Sequence, residues 1–166
     1  DIALAHFHEW MTGSGILYLK SRAKHIATVF TTHATAVGRS IAGNGLPLYK
    51  NLPYYDGDQK AKEFNVVAKQ SLEKLAALNC DIFTTVSEIT AKECHKLLER
   101  NPDVITPNGF EDDFVPIQEN FEQKRTIARN KLIGVAQALV GYKLADDTKI
   151  VATSGRYEFS NKGLDV

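Results

Sequence analysis

The chain has 166 residues, of which 43% are hydrophobic and 24% are charged, as in an ordinary globular domain or one domain and part of a second. Twenty basic residues balance twenty acidic ones, so no charge excess indicates binding to nucleic acid or to an anionic membrane surface. No apolar run approaches the ~20 residues of a membrane span. Cys80 and Cys94 lack a C-x-x-C spacing, which predicts buried thiols in a reducing compartment.

Short apolar segments alternate with amphipathic ones over the first two thirds of the chain. Apolar and β-branched runs predict strands at Ile2–His8, His25–His33, Asp81–Val86 and Asp103–Thr106. Helical periodicity predicts helices at Ile16–Ala23 and Gln59–Asn79, and a further helix after the capping-box pattern Thr90–Glu93. This alternation predicts parallel βαβ units and hence an α/β fold.

Turn-forming residues predict two irregular segments. The glycines of Gly13–Gly15, after Glu9 and Trp10, predict a turn before the first helix. The Gly- and Pro-rich stretch Gly38–Pro53 predicts a loop. Ser87 and Thr90 are suited to cap the helix after the third strand.

The pattern changes after Gly109. Phe110–Pro116 is acidic and aromatic, which indicates a connector, and Ile117–Val140 has a helical pattern. Its expected buried face is formed by Phe121, Ile127 or Ala128, Leu132 and Val135. Lys149–Thr153 alternates and is rich in β-branched residues, which predicts a buried strand.

The predicted organisation has three parts. Residues 1–112 form the later part of one Rossmann-like domain, residues 113–148 a connector with a helix, and residues 149–166 the start of a second Rossmann-like domain. Both ends cut into predicted elements, so the chain is expected to be an excerpt of a longer protein.

The last residues have the form of a phosphate site. Ser154 and Gly155 end the predicted strand, a polar loop carries Arg156 and Lys162, and Gly163 opens a predicted helix. A strand, a glycine turn and a helix start form the place where α/β sheets hold phosphate, and two cations suit a diphosphate. The residues alone leave open the alternative of solvated surface charges.

Histidines and an asparagine end other strands. His6 and His8 share one face of a strand and could be a metal pair, a sugar-binding site or hydrogen-bonded structural histidines. No third metal ligand at a fitting spacing is visible, so no metal site is predicted. His33 could be a direct ligand or a buried histidine, and Asn108 could either form a turn or face a shared cleft.

Five motifs resemble glycogen synthases of the animal and fungal type. They are AHFHEW, VFTTHAT followed by GR, FTTVSEIT, TPNGF and SGRYEFSNKG, in that order along nearly the whole chain. The resemblance implies a retaining glycosyltransferase of GT-B architecture, with two Rossmann-like domains facing a cleft. It implies transfer of glucose from UDP-glucose to the non-reducing end of an α-1,4-glucan such as glycogen, without a cofactor or metal.

The resemblance also implies residue roles. His8, Arg156 and Lys162 would be catalytic: His8 at the donor glucose, and the two cations at the UDP leaving group. Asn108, Gly155 and His33 would bind substrate.

Further implications concern the whole protein. The family's glycine-rich loop and its two-glutamate motif lie outside this chain, which is therefore expected to be inactive alone. The full-length protein is expected to be a cytoplasmic homo-oligomer, and the short Tyr49–Phe64 loop favours a bacterial source. The alternatives are an ADP-glucose-dependent glucan synthase, or a non-catalytic module that binds glucan or nucleotide.

Overall fold

A computed structural model of the chain describes residues 3–155. Its strands are β1 (Leu4–His8), β2 (Ala27–Thr32), β3 (Ile82–Thr85) and β4 (Val104–Ile105). Its α-helices within these residues are α1 (Glu9–Arg22), α2 (Ala36–Gly43), α3 (Leu48–Asn51), α4 (Gly57–Glu63), α5 (Val67–Asn79), α6 (Glu88–Leu98) and α7 (Gln118–Val140). Single-turn 3₁₀ helices lie at Leu52–Tyr54 and Asp112–Phe114.

The four strands form one parallel sheet in the order β1-β2-β3-β4. His8 pairs with Thr31, and Thr31 pairs with Thr84, so the strand ends lie at one edge. Parallel strands need crossover connections, and helices supply them here. The predicted α/β fold with a parallel sheet is therefore confirmed.

One face of the sheet packs against α1, α5 and α6. Phe30 and Phe83 stack with ring centroids 5.8 Å apart. Ile16 and Leu98 are fully buried in the same apolar cluster. Full burial of each such side chain contributes roughly 1.5–3 kcal/mol. A second apolar cluster joins α2, α3 and α4 to α6.

Both cysteines are buried free thiols, as expected. Burial raises the pKa of the Cys80 thiol to about 11 and raises the pKa of the Cys94 thiol as well. Both side chains therefore pack as small apolar groups, because the reactive thiolate is disfavoured.

The turn predicted after β1 is wrong, because α1 begins at Glu9 and runs through Gly13 and Gly15. A Cβ added to Gly13 would lie 2.9 Å from the Cβ of Ala76 on α5, and one added to Gly15 would collide with the ring of Phe7. These glycines allow α1 to lie close to α5 and to the sheet, so they serve packing inside a helix.

We expect Gly13→Ala to destabilise the full-length protein by about 1–3 kcal/mol, because an extra methyl would force α1 away from Ala76. Gly43→Ala is the matched control: its Cβ would meet nothing within 4 Å, so it should be neutral or slightly stabilising. Urea unfolding of both variants measures the difference. Equal unfolding midpoints would contradict the close packing of α1.

Two other predicted elements are also wrong. The predicted loop Gly38–Pro53 contains most of α2, all of α3 and the start of a 3₁₀ helix, because its apolar side chains pack into the second cluster. The single helix predicted at Gln59–Asn79 is two helices, because Asn65 adopts the left-handed φ of 56° and breaks it.

The start of α6 differs from the capping-box prediction. The helix begins at Glu88, and the hydroxyl of Ser87 accepts a hydrogen bond of 3.1 Å from the Thr90 amide. Ser87 is therefore the cap, as the alternative prediction had it, while Thr90 lies inside the helix. Glu93 accepts hydrogen bonds from Thr35, the residue before α2, instead of folding back on its own helix.

The described chain divides into a compact unit ending at Asn108 and a second unit, Gly109–Ser154. The predicted boundaries at residues 112 and 148 stay a prediction. In the second unit α7 confirms the predicted helix, and Arg129 on it donates hydrogen bonds to the carbonyls of Asp146 and Thr148.

The predicted burial of two segments in the second unit is wrong. Phe121, Ile127, Leu132 and Val135 of α7 are 40–61% exposed, and Ala128 is exposed as well. Lys149–Thr153 forms no strand, and Val151 is 96% exposed. The apolar face of a helix is buried only against another element, and a strand forms only beside another strand. Within the described part of this unit there is no strand and no second α-helix to serve as that neighbour.

None of the helices between residues 3 and 155 combines the length and the apolar character that crossing a bilayer requires.

Candidate functional site

Polar side chains line the edge of the sheet where the parallel strands end. The Nε2 atom of His6 lies 2.7 Å from the hydroxyl of Thr31, which lies 2.6 Å from the hydroxyl of Thr84. These residues come from three neighbouring strands, so the register of the sheet brings them together. The carboxyl edge of an open α/β sheet is the usual ligand site of such folds.

Three histidine rings stand in a row along this edge. The centroids of His6 and His8 are 4.2 Å apart, and those of His8 and His33 are 5.8 Å apart. Desolvation and the neighbouring His8 lower the pKa of His6, which favours the neutral form of the ring that lies against Thr31. The structure therefore brings His33, which follows β2, close to His8 at the end of β1.

The row of histidines does not form a metal centre. Within the described residues no group of three or more His, Cys, Asp or Glu side chains is arranged to hold a metal ion. The hydrogen bond between His6 and Thr31 occupies one ring nitrogen of His6, which supports the structural alternative for this residue.

The chain turns sharply between β1 and α1. Glu9 follows His8 directly and has a left-handed φ of 63°, a conformation that costs a non-glycine residue on the order of 1 kcal/mol. One carboxylate oxygen of Glu9 accepts a hydrogen bond of 3.0 Å from the backbone amide of His33. The turn thus links the residue after His8 to the backbone of His33.

Two buried glutamates support the same region. Glu73 on α5 is 0% exposed and accepts from the Thr32 hydroxyl and the Ala36 amide, each at 2.7 Å. Glu93 on α6 is 1% exposed and accepts from the amide and hydroxyl of Thr35, at 2.9 and 2.6 Å. The hydroxyl of Tyr49 lies 3.2 Å from its second oxygen.

Burial raises the pKa of both carboxyl groups. For Glu73 the value reaches about 7, because desolvation and the charges of Glu9 and Glu93 outweigh its two hydrogen bonds. For Glu93 desolvation also prevails over the hydrogen bonds from Thr35 and Tyr49 and over the nearby Arg39 charge. Both groups therefore hold a proton more firmly in the folded chain than in the unfolded one.

The raised pKa of Glu73 predicts a pH dependence of stability. Because the folded state binds the Glu73 proton more tightly than the unfolded state, protonation of Glu73 adds to the free energy of unfolding. This added stability is complete below pH 4.5 and is lost as the pH rises to about 7. The loss amounts to about 3 kcal/mol.

In the full-length protein, Glu73→Gln should abolish this part of the pH dependence. Glu88→Gln, at an exposed position, should keep it. Urea unfolding at several pH values measures it, and parallel profiles of wild type and Glu73→Gln would contradict the raised pKa.

The sequence did not reveal Glu73 and Glu93 as parts of the site. A signal was present for Glu73, because it lies three, four and seven residues before Ala76, Ala77 and Cys80, all of which are buried. The helical spacing of the apolar residues in Gln59–Asn79 instead predicts a buried face of Phe64, Val67, Ala68, Leu72, Leu75 and Ala76. Of these, Val67 and Leu75 are 43% and 46% exposed.

A groove beside the histidines is lined by residues of α1, α2 and α5, among them Trp10, Arg39 and Lys69. The ammonium of Lys69 stands 5.4 Å from the centre of the Trp10 ring. Trp10 is thus only partly buried and has a cation beside it rather than a place in the core.

The other predicted site residues are placed as follows. Asn108 is exposed in the segment after β4, and Gly155 is exposed after the second unit. Arg156 and Lys162, with the predicted helix start at Gly163, lie outside the described residues. Their roles stay predictions.

Comparison with known proteins identifies the family. A family model described as glycogen synthase matches residues 1–166. The chain is 41% identical to glycogen (starch) synthase of Caenorhabditis elegans over 99% of its length, which is 25% of that protein. It is 36% identical to the Neurospora crassa enzyme of the same name and to the mouse liver one, over 98% of the chain and 24% of each relative. The chain thus spans about a quarter of these relatives, and it belongs to the glycogen synthase family.

Proposed function

We propose that the full-length protein containing this chain is a glycogen synthase. It transfers glucose from UDP-glucose to the non-reducing end of an α-1,4-glucan and retains the configuration at the anomeric carbon. The observation that carries the proposal is the pair His8 and His33, whose rings lie 5.8 Å apart at the carboxyl edge of the sheet in a chain of this family. Imidazole groups at this edge suit the hydroxyls of a sugar.

The proposed roles follow the resemblance of the motifs. His8 contacts the donor glucose near the reacting carbon, while His33 and Asn108 line the same cleft. Gly155 allows the backbone to approach the diphosphate, and Arg156 and Lys162 offset the charge that builds on the UDP leaving group. The reaction uses no metal and no cofactor beyond the donor.

The GT-B architecture supplies the remaining step. Closure of the two domains brings the histidines of one half and the cations of the other onto the donor, and it excludes water that would hydrolyse the sugar nucleotide. The full-length protein is proposed to be a cytoplasmic homo-oligomer. A bacterial source stays a prediction without support among the relatives above, which are eukaryotic.

The test is transfer of radiolabelled glucose to glycogen by the full-length protein, with UDP-glucose and ADP-glucose compared. The proposal predicts transfer from UDP-glucose. Transfer from ADP-glucose alone would assign the protein to the alternative class of glucan synthases. Glycogen binding without transfer from either donor would reduce it to a binding module.

A further inference from the structure

Two backbone amides of the connection between β2 and α2, and the amide of the first residue of α2, donate to glutamates. The connection is the segment His33–Thr35, here called the His33 loop. The His33 amide donates to Glu9 at 3.0 Å, and the Thr35 amide donates to Glu93 at 2.9 Å. The amide of Ala36, the first residue after the loop, donates to Glu73 at 2.7 Å. A hydrogen bond from an amide to a carboxyl oxygen is directional, so each one fixes the backbone at the donor.

The three carboxylates come from three different helices. Glu9 lies on α1, Glu73 on α5 and Glu93 on α6. The His33 loop is therefore bonded to α1 and α6, and the residues on either side of it are bonded to α5. The loop cannot shift without straining one of these contacts. Without these hydrogen bonds, such a short loop would be held only by the strand before it and the helix after it.

Stability alone does not account for two of these groups. Glu73 and Glu93 are almost fully buried, and no lysine or arginine in the described residues forms an ion pair with either. Burying a carboxyl group costs several kcal/mol of desolvation, and an apolar side chain of similar volume often stabilises such a position better. The two carboxyl groups instead provide acceptors aimed at fixed backbone positions.

The packing around Glu93 is built for this contact. A Cβ on Gly38 would collide with its carboxylate, so glycine at that position lets α2 approach. The Thr35 hydroxyl donates to Glu93 and accepts from the Gly38 amide at 3.0 Å, which caps α2. The carboxylate thus fixes both the end of the His33 loop and the start of the next helix.

We propose that Glu9, Glu73 and Glu93 are positioning residues that hold the His33 loop, and through it the His33 imidazole, in place beside His8. This inference rests on the proposed function, since it assigns the three glutamates to the site of the transfer reaction. They do not touch substrate. They act by keeping the two histidine rings at the separation that the structure has.

The first test uses Glu93→Met and Glu93→Gln in the full-length protein. Methionine fills the space without an acceptor, whereas glutamine keeps one oxygen for the amide and hydroxyl of Thr35. We expect kcat to fall on the order of 10²-fold in Glu93→Met, with a smaller change in KM for the donor, because displaced groups affect the transition state most. Glu93→Gln should restore most of kcat, and Glu88→Met, exposed on the same helix, should resemble the wild type.

A second variant covers the case in which Glu93→Met does not fold. Glu9 is only partly buried, so Glu9→Met should fold, and loss of its bond to the His33 amide should lower kcat about tenfold. In parallel, amide hydrogen exchange at residues 33–36 should accelerate in each folded methionine variant while exchange in β3 stays unchanged.

The experiments distinguish failure of the positioning role from failure of the proposed function. Wild-type kcat and wild-type amide exchange at residues 33–36 in the methionine variants would overturn the positioning role. A lower melting temperature with kcat unchanged would also overturn it and would leave the glutamates a structural role. If the proposed function is the part that fails, the wild type itself transfers no glucose, while exchange at residues 33–36 still accelerates in the variants.

Discussion

Replacing His8 by alanine in the full-length protein is expected to lower kcat for glucose transfer by on the order of 10²–10³-fold. Removing one preorganised donor from a transition state typically has this effect, and His8 is proposed to contact the donor sugar near the reacting carbon. Because the β1 backbone and the His6 bond to Thr31 remain, the fold should be retained. Steady-state kinetics with UDP-glucose and glycogen measure the change.

The matched control is His95→Ala, which removes an exposed histidine from α6, away from the strand ends. It should leave kcat at the wild-type value. A His8→Ala variant with wild-type kcat and a wild-type melting temperature would contradict the assignment of His8 to the reacting centre.

Replacing Arg156 or Lys162 by alanine is expected to raise the activation barrier by about 2.7–4 kcal/mol for each cation, which is a loss of about 10²–10³-fold in kcat. Charge builds on the UDP leaving group as the glycosidic bond breaks, so kcat should fall more than KM rises. The double variant should lose less than the product of the two single effects, since both cations serve one group.

A charge-matched control for this pair is Lys124→Ala with Arg125→Ala, which removes two exposed cations from α7. It should leave kcat unchanged. If the Arg156→Ala and Lys162→Ala variants raise only KM and keep kcat, the cations bind the ground state and have no special role in the departure of UDP.

The sheet could be predicted from the sequence because each strand has a local signal. Runs such as HIATVFTTH and DIFTTV are short and rich in β-branched residues, and the structure places β2 and β3 within them. Parallel pairing then followed from the helices between the strands. The strand-end positions of His8 and His33 followed from the same signals, whereas their proximity is seen only in the structure.

The predicted turn and the predicted last strand are wrong because long-range packing overrides the local structural preference of their residues. Gly13 and Gly15 indicate a turn by composition, yet the proximity of Ala76 and Phe7 makes glycine necessary inside α1. Lys149–Thr153 has the composition of a strand, but a strand forms only where a neighbour offers hydrogen bonds, and the described residues include none there.

The hydrogen-bond partners of the buried glutamates could not be predicted for a related reason. Glutamate is usually exposed, so nothing in its residue type predicts that Glu73 and Glu93 are buried. Their burial depends on amides of a loop that lies 37 residues before Glu73 and 58 before Glu93 along the chain. No local pattern encodes such a partner.

The most direct test of the account is a structure of the full-length protein with UDP and glucose bound. We predict that the glucose lies within hydrogen-bonding distance of His8, with His33 in the same cleft and the diphosphate at Arg156 and Lys162. Nucleotide and sugar bound away from the carboxyl edge of the β1-β2-β3-β4 sheet would contradict it.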